Sequence, residues 1–399
     1  LTESEPVSEN IFRPYPGAVA IYLHFPFCTN RCNYCDFFKE PYQAEMAENV
    51  FRAIRYETEM VFLAMGREPI DIASIYIGGG TPSLIRPKLL EEWIGVVKSY
   101  SRFLPGYEFT VEANPESLTD EFAERSYRAG VNRIVIGVQS FSTQSLRRLG
   151  RRQTTRQIYR AFYRARSAGY ENIGADLIFG LPDQTMRKVR TDIDRLAALD
   201  PTHISYYQLT VEQGTTLAEQ VASGEIVLPG EETLASMYQI GVHMLGDYGY
   251  QRYEVSNFAQ DGYRSRHNYA YWNGSPYIGL GPGAHGFVNN RRYADIMDIE
   301  RYIKAIESGI LPIGFIEELT GHQRMMEMVM LSLRTADGID KQSLVLHFGE
   351  PAVMLLESPA VARHVGGGYL HDGPGFLRLT DAGFLVADKI IADLTGGDV

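Results

Sequence analysis

The chain has 399 residues, 45% of them hydrophobic and 22% charged, and a formal net charge of −11. This length allows one large domain and a smaller one, with the composition of a globular protein. The acidic balance argues against a nucleic-acid or anionic-lipid surface, and no run of about 18 apolar residues is present to span a membrane.

Residues 1–16 are polar, contain prolines and read as an arm. They show no signal-peptide pattern, so a cytoplasmic protein is expected. A β/α alternation then begins. Val19–His24 reads as a strand that runs straight into a cysteine-bearing loop, and residues 43–65 have a helical period. Ile72–Ile77 reads as a strand ending in Gly78-Gly79-Gly80-Thr81-Pro82, followed by a helix over 87–102. Tyr107–Glu112 is the third expected strand, with a helix over 118–129, and Arg133–Val138 is the fourth, ending in Gln139-Ser140. Helical stretches near 143–149 and 155–168 lead to a strand over Ile173–Phe179. A helix over 185–198 and a sixth strand, His203–Leu209, complete the series.

Strands alternating with helices predict a parallel sheet. Six units predict an α/β fold, a partial (β/α)6 barrel open on one side. Polar and glycine-rich residues follow each strand, the end that carries chemistry in parallel α/β folds. Beyond residue 212 the alternation stops. Residues 232–247 read as helical and 251–292 show little periodicity. Residues 17–300 are expected to form the barrel and its extension. A smaller domain is expected over 301–399, mainly helical with a short hairpin near 368–379.

The chain's three cysteines, Cys28, Cys32 and Cys35, lie within eight residues as Cys-x3-Cys-x2-Cys. Three thiolates on one loop suit a 4Fe-4S cubane, which normally takes four cysteines, with one iron left open for a small molecule. A closed structural zinc site needs four ligands, and the nearest candidate for a fourth is His24. A disulfide framework would use an even count in a small secreted chain. Gly279-Leu280-Gly281-Pro282-Gly283-Ala284 opens no βαβ unit and reads as a bend rather than a dinucleotide site.

The triad after the first strand, with Tyr34 just before its last cysteine, resembles the signature of the radical S-adenosylmethionine (SAM) superfamily. The glycine motif at 78–82, one β/α unit later, strengthens the likeness. Further motifs resemble the oxygen-independent coproporphyrinogen III oxidase-like family over nearly the whole chain. They include Tyr22 to Cys28, Val111-Glu112-Ala113-Asn114-Pro115, Ile136 to Phe141, Leu149-Gly150-Arg151, Asp176 to Pro182 and Tyr207 to Thr210. The resemblance implies a 4Fe-4S cluster on the three cysteines and SAM on the open iron, cleaved by one electron from an external donor. It implies that Tyr22, Gly79 and Glu112 contact this SAM. Tyr34, Gly80, Thr81, Gln139, Arg151 and Asp176 match positions that contact a second SAM in the oxidase.

The oxidase branch ends its cysteines in Cys-x-Cys, whereas Cys35 is followed by Asp36-Phe37. Cys-Asp-Phe, with His267-Asn268-Tyr269-Ala270-Tyr271-Trp272, resembles the heme-chaperone branch. That likeness implies heme as a ligand, a heme-accepting client protein, and His267 as the candidate heme ligand. His24 and His285 read as structural. A branch of radical methyltransferases and cyclopropane-forming enzymes shares most of these motifs and remains a second reading. Coproporphyrinogen III dehydrogenation is a third.

Overall fold

The computed structural model describes residues 11–13, 15–66 and 69–397. The expected arm lies mostly outside these residues, but Ile11 and Phe12 are buried, and Phe12 meets the edge of Tyr293 at 5.2 Å between ring centroids.

The β/α series runs as follows. Strand β1 (Val19–Phe25) is followed by helix α1 (Ala44–Met65), β2 (Ile70–Gly79), α2 (Pro87–Tyr100), β3 (Ser101–Ala113) and α3 (Asp120–Ala129). Next come β4 (Arg133–Gln139), α4 (Thr143–Arg148), α5 (Thr155–Ala168), β5 (Asn172–Phe179), α6 (Met186–Ala197) and β6 (His203–Gln208). Each of β1 to β5 pairs in parallel with its successor. The seven residues of β4 are all buried, as a parallel strand covered on both faces requires. The helices start where a hydroxyl can cap them. Thr119 accepts from the Phe122 N–H, and Thr154 forms a reciprocal capping box with Gln157.

The extension adds α7 (Thr216–Ala222), α8 (Glu231–Asp247), β7 (Gln251–Arg252), β8 (Asn257–Ala259) and α9 (Arg266–Trp272). After them come β9 (Tyr277–Leu280), β10 (His285–Val288), β11 (Arg291–Asp295), α10 (Ile299–Glu307) and β12 (Ile313–Glu318). The twelve strands form one open sheet in the order β12-β11-β10-β9-β1-β2-β3-β4-β5-β6-β8-β7. Two features differ from the expectation. A seventh parallel strand, β9, pairs with the outer side of β1, and antiparallel β10, β11 and β12 continue the sheet past residue 300 to Glu318.

A separate apolar cluster gathers Met325, Val329, Leu333, Leu344, Leu377 and Ile391. It belongs to a mainly helical C-terminal unit that begins with α11 (Gly321–Leu333) and contains the expected hairpin, Leu370–Asp372 against Phe376–Leu379.

Candidate functional site

The C-terminal ends of β1 to β6 surround one hollow of about 910 Å³, counted out to its mouth. Cys28, Cys32 and Cys35 line it together with Tyr34, Gly79, Gly80, Thr81, Glu112, Gln139, Arg151 and Asp176. The sequence scatters these residues over about 150 positions. The strand ends bring them together, as the parallel topology dictates.

The cysteine loop is seated on the glycine motif. The Gly80 N–H donates to the Phe25 carbonyl at 2.8 Å. A Cβ on Gly80 would stand 2.5 Å from the Phe27 carbonyl oxygen, so only glycine lets the two segments approach this closely. Thr81 then directs its hydroxyl at the Cys28 sulfur, 3.6 Å away. His24 fixes the far end of the loop. Its Nε2 donates to the Phe38 carbonyl at 2.9 Å, while its Nδ1 accepts from the Tyr22 hydroxyl at 2.9 Å. His24 is therefore a structural bridge.

Burial pushes the Cys28 thiol up to about 11 and raises Cys32 as well, with Arg151 pulling Cys32 the other way. Thiols in such a place release their protons when a metal takes them as ligands. Among the described residues no three His, Cys, Asp or Glu side chains converge on a point as one metal ion needs. A cubane takes its cysteines on different irons, whereas a closed zinc site needs four ligands, so three cysteines on one loop suit a cluster.

Opposite the cysteines is a polar wall. Arg151 donates from Nε to the Tyr34 hydroxyl at 3.3 Å and from Nη1 to Asn114 Oδ1 at 3.1 Å and Gln153 Oε1 at 2.9 Å. The Asn114 amide in turn donates to Thr81 Oγ1 at 3.0 Å, so one chain of hydrogen bonds joins Arg151 to Cys28. Gln139 ends β4 beside a register shift, with φ at +65°. That left-handed conformation is uncommon outside glycine and costs about 1 kcal/mol or more. It accompanies a side chain aimed into the hollow, where the Tyr207 hydroxyl donates to Gln139 Oε1 at 3.0 Å.

Two half-buried carboxyls line the same hollow. Glu112 is pushed up to about 7 by burial and by the charge of Asp176, against the hydrogen bonds from Tyr76 and the Gly79 N–H. Burial pushes Asp176 up to about 6, opposed by Ser205 and Arg151. Such groups take up charge readily once a cation arrives. The pocket thus offers a carboxylate pair and a guanidinium within one enclosure, matching the ammonium, sulfonium and carboxylate of an amino-acid sulfonium ligand.

Two expected residues stand outside the lining. Tyr22 stacks on Tyr76 at 6.4 Å, behind Glu112. His267 is only 1% exposed, and its position differs from that expected of a heme ligand. Its Nδ1 meets Ser74 Oγ at 3.0 Å and its Nε2 meets the Tyr271 hydroxyl at 2.9 Å. Burial lowers its ring to about 3. Glu108 accepts from Ser265 Oγ and from the Arg266 and His267 N–H groups, capping α9. With both ring nitrogens engaged inside the protein, His267 reaches no iron in this arrangement. Trp272 turns away to line a different hollow with Met328 and Leu344.

Sequence reasoning missed Asn114, Gln153, Tyr76 and Lys39. Asn114 belongs to a quoted motif but had no assigned role. Lys39 donates to the Cys35 carbonyl at 2.5 Å, and lysine four residues after the triad was the available signal.

An open α/β sheet with a cysteine triad and a carboxylate–arginine pocket at its strand ends defines a protein of the radical SAM class. Residues 22–196 match the Radical SAM superfamily, and residues 319–386 match the HemN C-terminal domain. The chain is 33% identical over 377 residues to the heme chaperone HemW of Bacillus subtilis, covering 94% of this chain and 98% of that one. It is 38% identical over 273 residues to HemW of Escherichia coli, 68% and 70% of the two chains. Its fold is similar to that of coproporphyrinogen III oxidase (HemN) from Escherichia coli, with a TM-score of 0.84 at 19% identity over 98% and 93% of the chains. The chain belongs to the radical SAM superfamily and, within it, to the family of proteins named heme chaperone HemW.

Proposed function

We propose that this protein carries a 4Fe-4S cluster on Cys28, Cys32 and Cys35, binds SAM in the hollow above it, and holds heme for transfer to a client protein. The observation that carries this reading is the shared lining of the three cysteines, Glu112, Asp176 and Arg151, combined with full-length similarity to proteins named heme chaperone. When bound, the cluster would supply one electron and an open iron to SAM. The chain's own residues do the orienting. Glu112 and Asp176 offer negative charge to the ammonium and sulfonium, Arg151 offers a fork to the carboxylate, and Gly79 and Gly80 let the ligand approach the backbone.

The test is an anaerobic heme titration of cluster-loaded protein followed by absorbance, with SAM affinity measured in parallel. Saturation near one heme per chain is expected. Lack of saturable heme uptake would sink the chaperone reading. A second reading, methyl or methylene transfer from SAM, is favoured by Tyr34, Gln139, Arg151 and Asp176 lining the same hollow as the triad. Its mark is S-adenosylhomocysteine released in the presence of an acceptor. No SAM consumption with any acceptor would remove it.

A further inference from the structure

The face of β10, β11 and β12 that is turned away from α1 and α10 carries an arrangement separate from the hollow. His285, Ala294 and Phe315 stand opposite one another across the three strands, so their side chains share one face. The neighbouring row, Gly286, Tyr293 and Ile316, points the other way into the core, where Tyr293 is fully buried. Lower down the first face, Arg324 of α11 covers Phe287, with its guanidinium 4.3 Å from the ring centroid. Among the described residues the upper row, at the same end as the cysteine loop, has no such cover. Phe315 is 49% exposed, and His285 is exposed.

Met297 and Phe37, each 63% exposed, lie on the same end of the sheet, and Phe37 lines the mouth of the cysteine hollow. Gly283 makes this continuity possible. A Cβ there would stand 3.2 Å from both Met297 Cγ and Phe38 Cδ1, so both side chains cross over it, and its φ of +78° suits glycine.

We propose that this face receives the flat side of heme, with His285 as the axial iron ligand and Phe315, Ala294 and Met297 beneath and beside the ring. The inference rests on the heme-binding reading above and relocates the site from His267. Three strands span about 10 Å, two strand spacings, enough to support a macrocycle core. An exposed imidazole in a row with Ala294 and Phe315, with Arg292 in the adjoining row, suits this ligand better than an apolar protein partner. Docking an apolar protein surface here would bury the imidazole unpaired, at a desolvation cost. An iron supplies the missing partner to the ring nitrogen's lone pair. No hydrogen bond engages the His285 ring among the described residues, whereas those of His24, His203 and His267 are engaged.

The experiment is a titration of the full chain with ferric heme, read by absorbance and by electron paramagnetic resonance. It compares wild type, His285→Ala, Phe315→Asp and, as a control, His243→Ala on the exposed side of α8. His285→Ala should shift the Soret band and raise Kd at least about tenfold, the loss of roughly one coordinate contact, with added imidazole restoring the wild-type band. Phe315→Asp should raise Kd while leaving the band position unchanged. Wild-type uptake with the same spectrum and Kd in His285→Ala would overturn this site and leave the heme reading standing. Absence of saturable uptake by the wild type would overturn both. Unchanged heme binding in both variants, with Phe315→Asp altering only self-association, would assign the face to protein contact and overturn the proposal.

Discussion

The Tyr76 hydroxyl donates to Glu112 Oε1 at 2.7 Å, and the ring of Tyr76 lies stacked on His267 at 5.1 Å between centroids. His267 is in turn held by Ser74 and Tyr271. A carboxyl at the floor of the candidate SAM pocket is therefore aimed by a tyrosine whose own position is fixed by the histidine of the His-Asn-x-x-Tyr-Trp motif. His267 acts through Tyr76, as a positioning residue.

Tyr76→Phe should weaken SAM binding at pH 7 by about tenfold or more, because a hydrogen bond to a charged carboxylate contributes about 1.5–3 kcal/mol. Losing that donor raises the Glu112 pKa further, so affinity should recover as pH is raised. Calorimetric titration of cluster-loaded protein at pH 7 and at a higher pH measures both effects. His267→Ala should give a weaker version of the same defect with no change in the heme spectrum. Equal SAM affinity in wild type and Tyr76→Phe would detach Tyr76 from the site.

Glu112, pushed up to about 7, also gives SAM binding a pH dependence. A ligand carrying an ammonium and a sulfonium prefers the ionised carboxylate. Affinity should then rise with pH through the neutral range and level off above it, with Asp176, at about 6, adding to the lower part of the curve. Glu112→Gln should bind SAM weakly and flatten the upper part of this profile. A wild-type profile that falls as pH rises through 7 would contradict the assignment.

Much of the frame is legible in the sequence because β1 to β6 alternate with helical periods and are each followed by a glycine, proline or polar residue at the strand end. Strand β9 is not legible. Tyr277-Ile278-Gly279-Leu280 is four residues with a glycine, and only pairing beside β1 makes it a strand. The cysteines, Glu112, Arg151 and Asp176 are visible from motifs set at strand ends. Asn114 escapes because its role is a contact to Arg151, 37 positions away, which no local pattern encodes. His267 and His285 show the converse. Both sit in polar, glycine-containing stretches, and only packing separates the enclosed histidine from the open one.

Cys28→Ala, Cys32→Ala and Cys35→Ala should each fail to retain a full 4Fe-4S cluster on anaerobic reconstitution, measured as iron and sulfide per chain and by Mössbauer spectra. Thr81→Val removes the donor 3.6 Å from Cys28 and should retain the cluster while shifting its reduction potential to a more negative value. A single cysteine variant with a complete, stable cluster would show that another group serves as ligand.

Glu57 Oε2 accepts from the Tyr302 hydroxyl at 2.6 Å and from the Gly281 N–H at 2.8 Å, pinning the loop that leads to His285. Asp295 faces Glu57 with both groups buried, and its Oδ2 has no donor among the described residues, consistent with a proton held between the two carboxyls. Burial pushes Glu57 up to about 6 and raises Asp295 well above the usual carboxylate range. The folded chain therefore keeps protons that the unfolded chain releases near pH 4. This contribution to stability is complete below pH 4 and is lost as pH rises through the folded values. Asp295→Asn keeps an N–H for Glu57 and removes the proton that must be held. Its Tm should exceed that of the wild type at pH 8 by about 1 °C, corresponding to about 1 kcal/mol in a chain of 399 residues. The two proteins should converge at pH 5. A variant less stable than wild type at pH 8 by scanning calorimetry would show that the pair is not a shared-proton site.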